Sequence, residues 1–180
     1  MARIKGTDLV NLRKLLKKRG KEVEQEFMAA LPENDRQIYK LVMATSWTPV
    51  DVQARIYMTA AKLLYPGQPN GVERLHYDLA EQAYSGIYSI FLRIPSLNFI
   101  ISRVASLWTT YYDKGSAEVR NQSANSLDFY VRDFADLPRE MRDATTGHIS
   151  LVLKKIGKRN VLVRHIDTVP NMWQWHATWD

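Results

Sequence analysis

Histidines are the side chains in this sequence best suited to chemistry, because an imidazole can bind a metal ion or exchange a proton near neutral pH. The chain contains four of them: His76, His148, His165 and His176. The last two fall in predicted strands on either side of Pro170-Asn171, and a hairpin centred there places them directly opposite each other. Because zinc usually takes three or four protein ligands, this pair alone completes no metal site. We predict a cross-strand contact on a solvated face, and rank a metal-dependent enzyme using histidines last.

The other two histidines lie in predicted helices. His76 is near the apolar side of a helix that begins at about residue 70, where a buried neutral imidazole bonded to a carbonyl group is expected. His148 follows Thr146 and Gly147, which favour helices poorly, and the glycine leaves room for a neighbouring backbone or a ligand. His148 is therefore a candidate ligand residue, and no residue is predicted to be catalytic.

Motifs that carry common enzyme chemistries are absent from the sequence. It contains no GxxxxGK[ST], GxSxG, HExxH, GxGxxG or CxxC pattern. It also has no cysteine, which excludes a disulfide, a thiolate nucleophile and a cysteine-bound metal. The sequence therefore favours a non-enzymatic protein, and no cofactor is predicted.

A set of aromatic and arginine side chains is the second candidate site. Three tyrosines at helical spacing lie opposite the apolar side of the predicted helix 70–92, and such a second non-polar face is typical of a ligand pocket or a protein interface. Two arginines near the helix ends could bind an anion. Besides His148, the candidate ligand or interface residues are Tyr77, Tyr84, Tyr88, Arg93, Arg103, Trp108 and Tyr112.

The charge distribution suggests an alternative function. The net charge is +6, and basic residues concentrate in the segment from Arg13 to Lys21. Such a cluster can bind nucleic acid or an anionic membrane, although a solvated helix face is the favoured explanation. The first eight residues lack the apolar core of a signal peptide, and the longest uncharged run, Gln82 to Leu92, is too short to cross a bilayer. We therefore predict no transmembrane segment and a cytoplasmic location.

The hydrophobic periodicity changes along the chain. Residues 1–115 show helical spacing, including an apolar stripe from Leu97 to Tyr111, and residues 116–180 read as strand–strand–helix–strand–strand. Short links favour antiparallel pairing, so we predict a single α+β domain over residues 1–180, in which helices pack on the apolar face of an antiparallel sheet. In the last hairpin the predicted pairs are Leu162 with Trp179, Ile166 with Trp175, and Thr168 with Trp173.

The C-terminal part also resembles a known superfamily. The segments TTGHISLVLKKIG, NVLVRH and MWQWHATWD, with the order of elements over about residues 70–180, are similar to 4-vinyl-reductase-type small-molecule-binding domains, heme nitric-oxide-binding domains and transport-particle subunits of vesicle tethering. The resemblance implies a bacterial regulatory or scaffold module, often a homodimer, with a pocket for a small apolar ligand or a surface for a partner protein. The Tyr-x-Ser-x-Arg motif of the heme-binding branch is not found, so heme is not supported.

Overall fold

Seven helices and six strands form the part of the chain that this computed structural model describes, which is residues 1–84, 96–169 and 172–180. The helices are α1 (Thr7–Arg19), α2 (Lys21–Ala30), α3 (Glu33–Leu41), α4 (Val50–Leu64), α5 (Gly71–Tyr84), α6 (Leu97–Tyr111) and α7 (Arg139–Lys155). The strands are β1 (Arg3–Lys5), β2 (Trp47–Pro49), β3 (Ser116–Arg120), β4 (Ser126–Arg132), β5 (Leu162–Val169) and β6 (Met172–Thr178). The predicted α+β class is confirmed.

The N-terminal helices bury the leucines of α1. Leu9, Leu12 and Leu16 are fully buried, and they belong to one core together with Phe27 of α2 and Ile56 of α4. This is the result expected of apolar residues that repeat at three- and four-residue spacing on a helix. The opposite side of α1 stays exposed and carries its lysines.

A small sheet near the N-terminus was not predicted. Strands β1 and β2 pair antiparallel with Ile4 opposite Thr48, and the Thr48 hydroxyl donates to the Ile4 carbonyl at 3.2 Å. Strands of three residues are too short to show a clear alternation, so the sequence gives little signal for them. Helix α1 begins directly after β1: Gly6 is at the N-cap position, and Thr7, the first residue of the helix, donates its hydroxyl to the Ala44 carbonyl at 3.1 Å.

The main sheet has the strand order β3-β4-β6-β5, and every neighbouring pair is antiparallel as predicted. Its tryptophan-bearing face packs against α7. Trp175 is completely buried, and its indole N–H donates to the Thr146 hydroxyl at 3.1 Å and to the Arg142 carbonyl at 3.3 Å. Trp179 is also buried. The prediction that these tryptophans lie beneath helices is confirmed.

The predicted register of the last hairpin is wrong by one residue. His176 lies opposite Arg164, and His165 lies opposite Trp175, because an irregularity between Ile166 and Val169 shifts the pairing. A shift of one residue moves every side chain of a strand to the other face, and a bulge introduces that shift without changing the hydrophobic pattern. His165 and His176 therefore lie on opposite faces of the sheet and form no pair. Leu162, predicted to lie opposite Trp179, lies opposite Thr178 and is 48% exposed.

Helices α5 and α7 pack closely along each other. Gly147 lies in this contact, and its missing side chain admits the backbone of α5, as the sequence suggested. This contact brings His76 of α5 next to His148 of α7. Within the described ranges, no helix combines the length and the apolar character that a bilayer crossing requires.

Candidate functional site

A cavity of about 780 Å³ lies between the N-terminal helices and the main sheet. Helices α1, α5, α6 and α7 and strands β3 and β4 all contribute to its wall. Its volume falls within the range of about 300–1,000 Å³ that is usual for small-molecule and cofactor sites. Apolar side chains form much of the wall, including Val119, Leu127 and Phe129 of the sheet and Ile149 and Val152 of α7.

Helix α6 forms one side of the cavity. Its apolar stripe, which the sequence identified as a helix face, lines the cavity, and within α6 only Trp108 is buried. Leu107 remains 49% exposed although it lines the cavity. The end of α6 is fixed by Trp108, whose indole N–H donates to the Lys114 carbonyl at 3.0 Å and whose ring stacks on Tyr112 with centroids 4.1 Å apart.

Two lysines of α1 lie at the cavity. Lys14 and Lys18 are exposed side chains that also line the wall. Both belong to the basic segment that the sequence explained as a solvated face, whereas Lys17 and Arg19 of the same helix do not line the cavity. Two ammonium groups beside an apolar cavity favour a ligand that combines an apolar body with acidic groups.

Asp8, His76 and His148 form a cluster beside the cavity. The Nδ1 atom of His76 lies 3.8 Å from Asp8 Oδ2, and the Nε2 atom of His148 lies 4.0 Å from the same oxygen. His76 is 1% exposed and packs edge-on against the ring of Tyr57, with centroids 4.3 Å apart. Neither ring nitrogen of His76 has a hydrogen-bond partner among the described residues. The predicted bond from this imidazole to a carbonyl group is therefore wrong.

Burial and neighbouring groups shift the pKa of three side chains in or next to this cluster. Burial lowers the pKa of His76 well below its usual value, and the neighbouring His148 lowers it further. Burial raises the pKa of Tyr57 and that of Tyr112, and the negative charge of Asp8 raises both further. At neutral pH, His76 is thus an uncharged imidazole with free lone-pair capacity, which is the form that binds a metal ion.

The structure brings together three of the residues predicted to form the site. Trp108, Tyr112 and His148 all line the cavity. Tyr77 does not: its half-buried ring lies between the Arg74 guanidinium, 5.3 Å from the ring centroid, and the Lys154 ammonium, at 4.9 Å. Arg103 is exposed on α6, with its guanidinium over the Phe99 ring, and does not line the cavity.

Other predicted site residues lie elsewhere or are not described. Tyr88 and Arg93 fall outside the described residues, as does the side chain of Tyr84. His176 lies on the far face of the sheet, where its Nδ1 atom is 2.6 Å from Asp128 Oδ1. His165 packs against the Trp175 ring with centroids 4.9 Å apart. These two histidines, the candidates for a cross-strand metal pair, are therefore not part of one site.

Sequence reasoning missed the contributions of Asp8, Lys14 and Lys18 to the cavity. Asp8 is one acidic residue in the first turn of a helix, a position that acidic side chains commonly occupy for electrostatic reasons. The two lysines are part of a longer basic run, and helical spacing does place positions 14 and 18 on one face. That spacing was the available signal, although it does not show that the face borders a cavity.

No protein-family model and no curated protein matches this chain. Its fold is similar to that of solved H-NOX domains. The H-NOX protein of S. oneidensis, described in the Fe(II)NO state, has a TM-score of 0.70 at 11% identity, covering 98% of this chain and 99% of that one. The unliganded Fe(II) H-NOX protein of K. algicida has a TM-score of 0.67 at 8% identity, covering 98% and 97%. An oxygen-binding H-NOX domain related to soluble guanylate cyclases has a TM-score of 0.64 at 14% identity, covering 97% and 92%.

This likeness corrects two expectations. It spans 98% of the chain for the S. oneidensis protein, so the similarity predicted for about residues 70–180 extends over the N-terminal helices. It also contradicts the prediction that heme is not supported. The similar structures are H-NOX domains: two are described in Fe(II) states, and a third is described in terms of heme distortion in the H-NOX family. The Tyr-x-Ser-x-Arg motif is one local way to hold the cofactor, so its absence does not exclude heme. The fold and its cavity arise instead from residues spread over many elements. Of the three branches in the predicted superfamily, the likeness supports the heme nitric-oxide-binding one.

The side chains around the cavity fit a heme group. Heme iron is commonly held by histidine, cysteine, methionine or tyrosine, and the wall offers His148, Tyr111 and Tyr112. Lys14 and Lys18 could hold the acidic propionate groups, and the apolar walls suit the porphyrin ring. The donor types, the charge and the volume of the cavity are therefore all compatible with this cofactor.

Proposed function

We propose that this chain is a ligand-sensing regulatory domain whose cavity binds a small, largely apolar molecule carrying acidic groups. The observation that carries the proposal is the cavity of about 780 Å³, which is walled by elements of both the helical part and the sheet. Because both parts contact the same space, an occupant changes the packing of α6 and α7 together. That coupling is what a sensor needs in order to convert binding into a change of shape.

Heme is the first ligand to test. The H-NOX fold, the cavity volume and the donor set of His148, Tyr111 and Tyr112 support it. When bound, a heme would supply an iron atom that can take a diatomic gas. This chain's own residues would hold the ring between α6, α7 and the sheet, bind the propionates through Lys14 and Lys18, and exclude water from the apolar walls.

The test is reconstitution of the purified chain with hemin. We expect saturable binding with a shifted Soret band and a single hemin per chain, followed by a further spectral shift when the reduced protein is exposed to nitric oxide. Native mass spectrometry of freshly purified protein serves as a second measurement, since it detects any small molecule that co-purifies.

A matched pair of variants on α6 tests whether the ligand occupies the cavity. Val104 lines the cavity, whereas its neighbour Ala105 is exposed and does not. We expect Val104→Trp to fill part of the cavity and weaken hemin binding, while Ala105→Trp binds as the wild type does. If hemin and co-purified small molecules are both undetectable, or if the two variants bind equally well, the proposal fails.

Several predictions about partners accompany this proposal. Phe99, Leu107 and Tyr111 of α6 are 52%, 49% and 40% exposed, so this helix offers apolar surface to a second chain. A homodimer is a prediction that analytical ultracentrifugation checks, and the interface role of Tyr77, Tyr84 and Tyr88 is a prediction of the same kind.

A single domain over residues 1–180 is also part of the proposal, because one buried cluster includes Leu9 of α1 and Trp175 of β6.

A further inference from the structure

The imidazole of His76 is an unusual group to find in a protein core without a partner. It is 1% exposed, and both of its ring nitrogens lack a hydrogen-bond partner in the described part of the chain. A buried polar atom without a partner destabilises the fold by about 1–3 kcal/mol, so such atoms call for an explanation. Two further donor atoms are close: Asp8 Oδ2, at 3.8 Å from His76 Nδ1, and His148 Nε2, at 4.0 Å from that same oxygen.

We propose that Asp8, His76 and His148 bind one divalent transition-metal ion of the zinc class. One ligand atom from each residue lies within 4.8 Å of the other two. Two ligands placed about 2.1 Å from a tetrahedral zinc ion are roughly 3.4 Å apart. The spacings of 3.8 and 4.0 Å to Asp8 Oδ2 must therefore contract by about half an ångström, and the spacing between the two histidine donors, at most 4.8 Å, by up to about 1.4 Å. Two imidazoles and one carboxylate form the donor set of several catalytic zinc sites and of non-heme iron sites.

Each ligand is presented by a different helix. Asp8 is in the first turn of α1, His76 is in the middle of α5, and His148 is in α7. The positions of the two histidines are fixed by the close contact of α5 with α7 at Gly147, and Tyr57 supports the His76 ring from the side. A site built on helices in this way needs little rearrangement to receive an ion.

The ion would lie at the edge of the cavity. Asp8 and His148 line the cavity, whereas His76 approaches from the core behind them. Three protein ligands leave at least one coordination position of zinc for water or another ligand. Because Asp8 and His148 line the cavity, an acidic group of a cavity ligand is near enough to complete the shell. The metal site goes beyond the proposed function. The two share one candidate donor, His148, so zinc binding is tested in the absence of hemin.

The test is metal binding by the full-length chain after treatment with a chelator and without added hemin. Titration with Zn²⁺ followed by calorimetry should give a single site per chain. Titration with Co²⁺ should give the visible absorption bands of a tetrahedral ion. Because metal that binds only the folded state stabilises it, Zn²⁺ should also raise the melting temperature.

Three ligand variants and one control localise the ion. Asp8→Asn, His76→Gln and His148→Gln should each weaken Zn²⁺ binding by at least about 100-fold, since the loss of an outer-shell partner alone costs about 10- to 100-fold. His176→Gln is the control: it removes another imidazole paired with a carboxylate, Asp128, on the far face of the sheet, and should bind Zn²⁺ as the wild type does. Circular dichroism of the metal-free variants checks that they fold.

Several results would overturn the metal site. They are the absence of a stoichiometric site in the wild type, wild-type affinity in His148→Gln, and an equal loss of binding in His176→Gln. If His76→Gln does not fold, Asp8→Asn and His148→Gln carry the test, because their side chains are 24% and 36% exposed and tolerate substitution better. The zinc experiment is carried out without hemin, so a failure of the cavity proposal does not affect its result. If the metal site fails, hemin binding is still judged by its own spectra.

Discussion

Gly147 of α7 lies against the backbone of Glu73 in α5, so closely that a Cβ atom at residue 147 would be 2.2 Å from the Glu73 carbonyl oxygen and 3.0 Å from the Tyr77 nitrogen. Distances this short are not tolerated by a side chain, and the obstacle is backbone that belongs to a helix. The close approach has a consequence for function, because the next residue along α7 is His148 and the histidine facing it on α5 is His76.

The first prediction concerns this helix contact. Gly147→Ala forces α5 and α7 apart, and overpacking of this kind costs about 1–3 kcal/mol. The better helix propensity of alanine offsets at most about 1 kcal/mol of that loss. We therefore expect a lower urea midpoint, together with weaker Zn²⁺ binding. Arg139→Ala on the same helix, where the side chain is 80% exposed, should leave the midpoint nearly unchanged. Equal stability of Gly147→Ala and wild type would show that the two helices have room to separate.

The second prediction is a loss of stability in mild acid. Burial lowers the pKa of His76 in the folded protein, whereas in the unfolded chain it titrates near 6.5. The unfolded state therefore binds more protons below about pH 6.5, and the free energy of unfolding falls as the pH drops from there toward the folded pKa. Urea unfolding of metal-free protein at neutral pH and near pH 5 measures this fall.

His76→Gln provides the control for that pH dependence. It removes the titrating group and should flatten the slope between neutral pH and about pH 5. Carboxylates with a lowered pKa, such as Asp128, contribute stability that is lost only near and below the ordinary aspartate pKa of 3.8, which is a separate pH window. A slope that is the same in wild type and His76→Gln would assign the acid sensitivity to another group.

The third prediction concerns the charge at the cavity. Replacing both Lys14 and Lys18 with glutamine should weaken hemin binding about 2- to 30-fold, since each exposed ion pair contributes about 0.2–1 kcal/mol. The dimethyl ester of hemin lacks the acidic groups, and its affinity should not change. Lys17→Gln with Arg19→Gln is the matched control on the same helix, outside the cavity wall. A loss that is identical for hemin and its ester would mean that the lysines do not recognise acidic groups.

The fourth prediction tests how the sheet is attached to α7. Trp175→Phe removes the indole N–H that donates to Thr146 and Arg142, and it leaves a space in the core. We expect a loss of about 2–4 kcal/mol from the missing hydrogen bonds and the cavity together. Trp47→Phe, at a side chain that is 38% exposed, should cost much less. Thermal melting followed by circular dichroism compares the two variants, and similar melting temperatures would contradict the role given to Trp175.

The sequence by itself determined the class of fold. The leucines of α1 and the tryptophans of β6 each repeat at the period of their own element, and burying such a stripe requires no knowledge of distant residues. The order of helices and antiparallel strands, and the face on which Trp175 lies, follow from that local rule. The register of β5 did not follow, because the bulge between Ile166 and Val169 moves His165 to the tryptophan-bearing face without altering the pattern.

Only the tertiary structure decided what forms the site. The apolar stripe of α6 has the same spacing whether it packs against a core or borders a cavity, and the difference depends on how closely neighbouring elements approach. Asp8, His76 and His148 come from three helices that are far apart in the chain. Their donor atoms meet within 4.8 Å because the leucine core positions α1 and because Gly147 lets α7 approach α5. Spacing along a chain carries no information about such distances, which are set by how the helices pack.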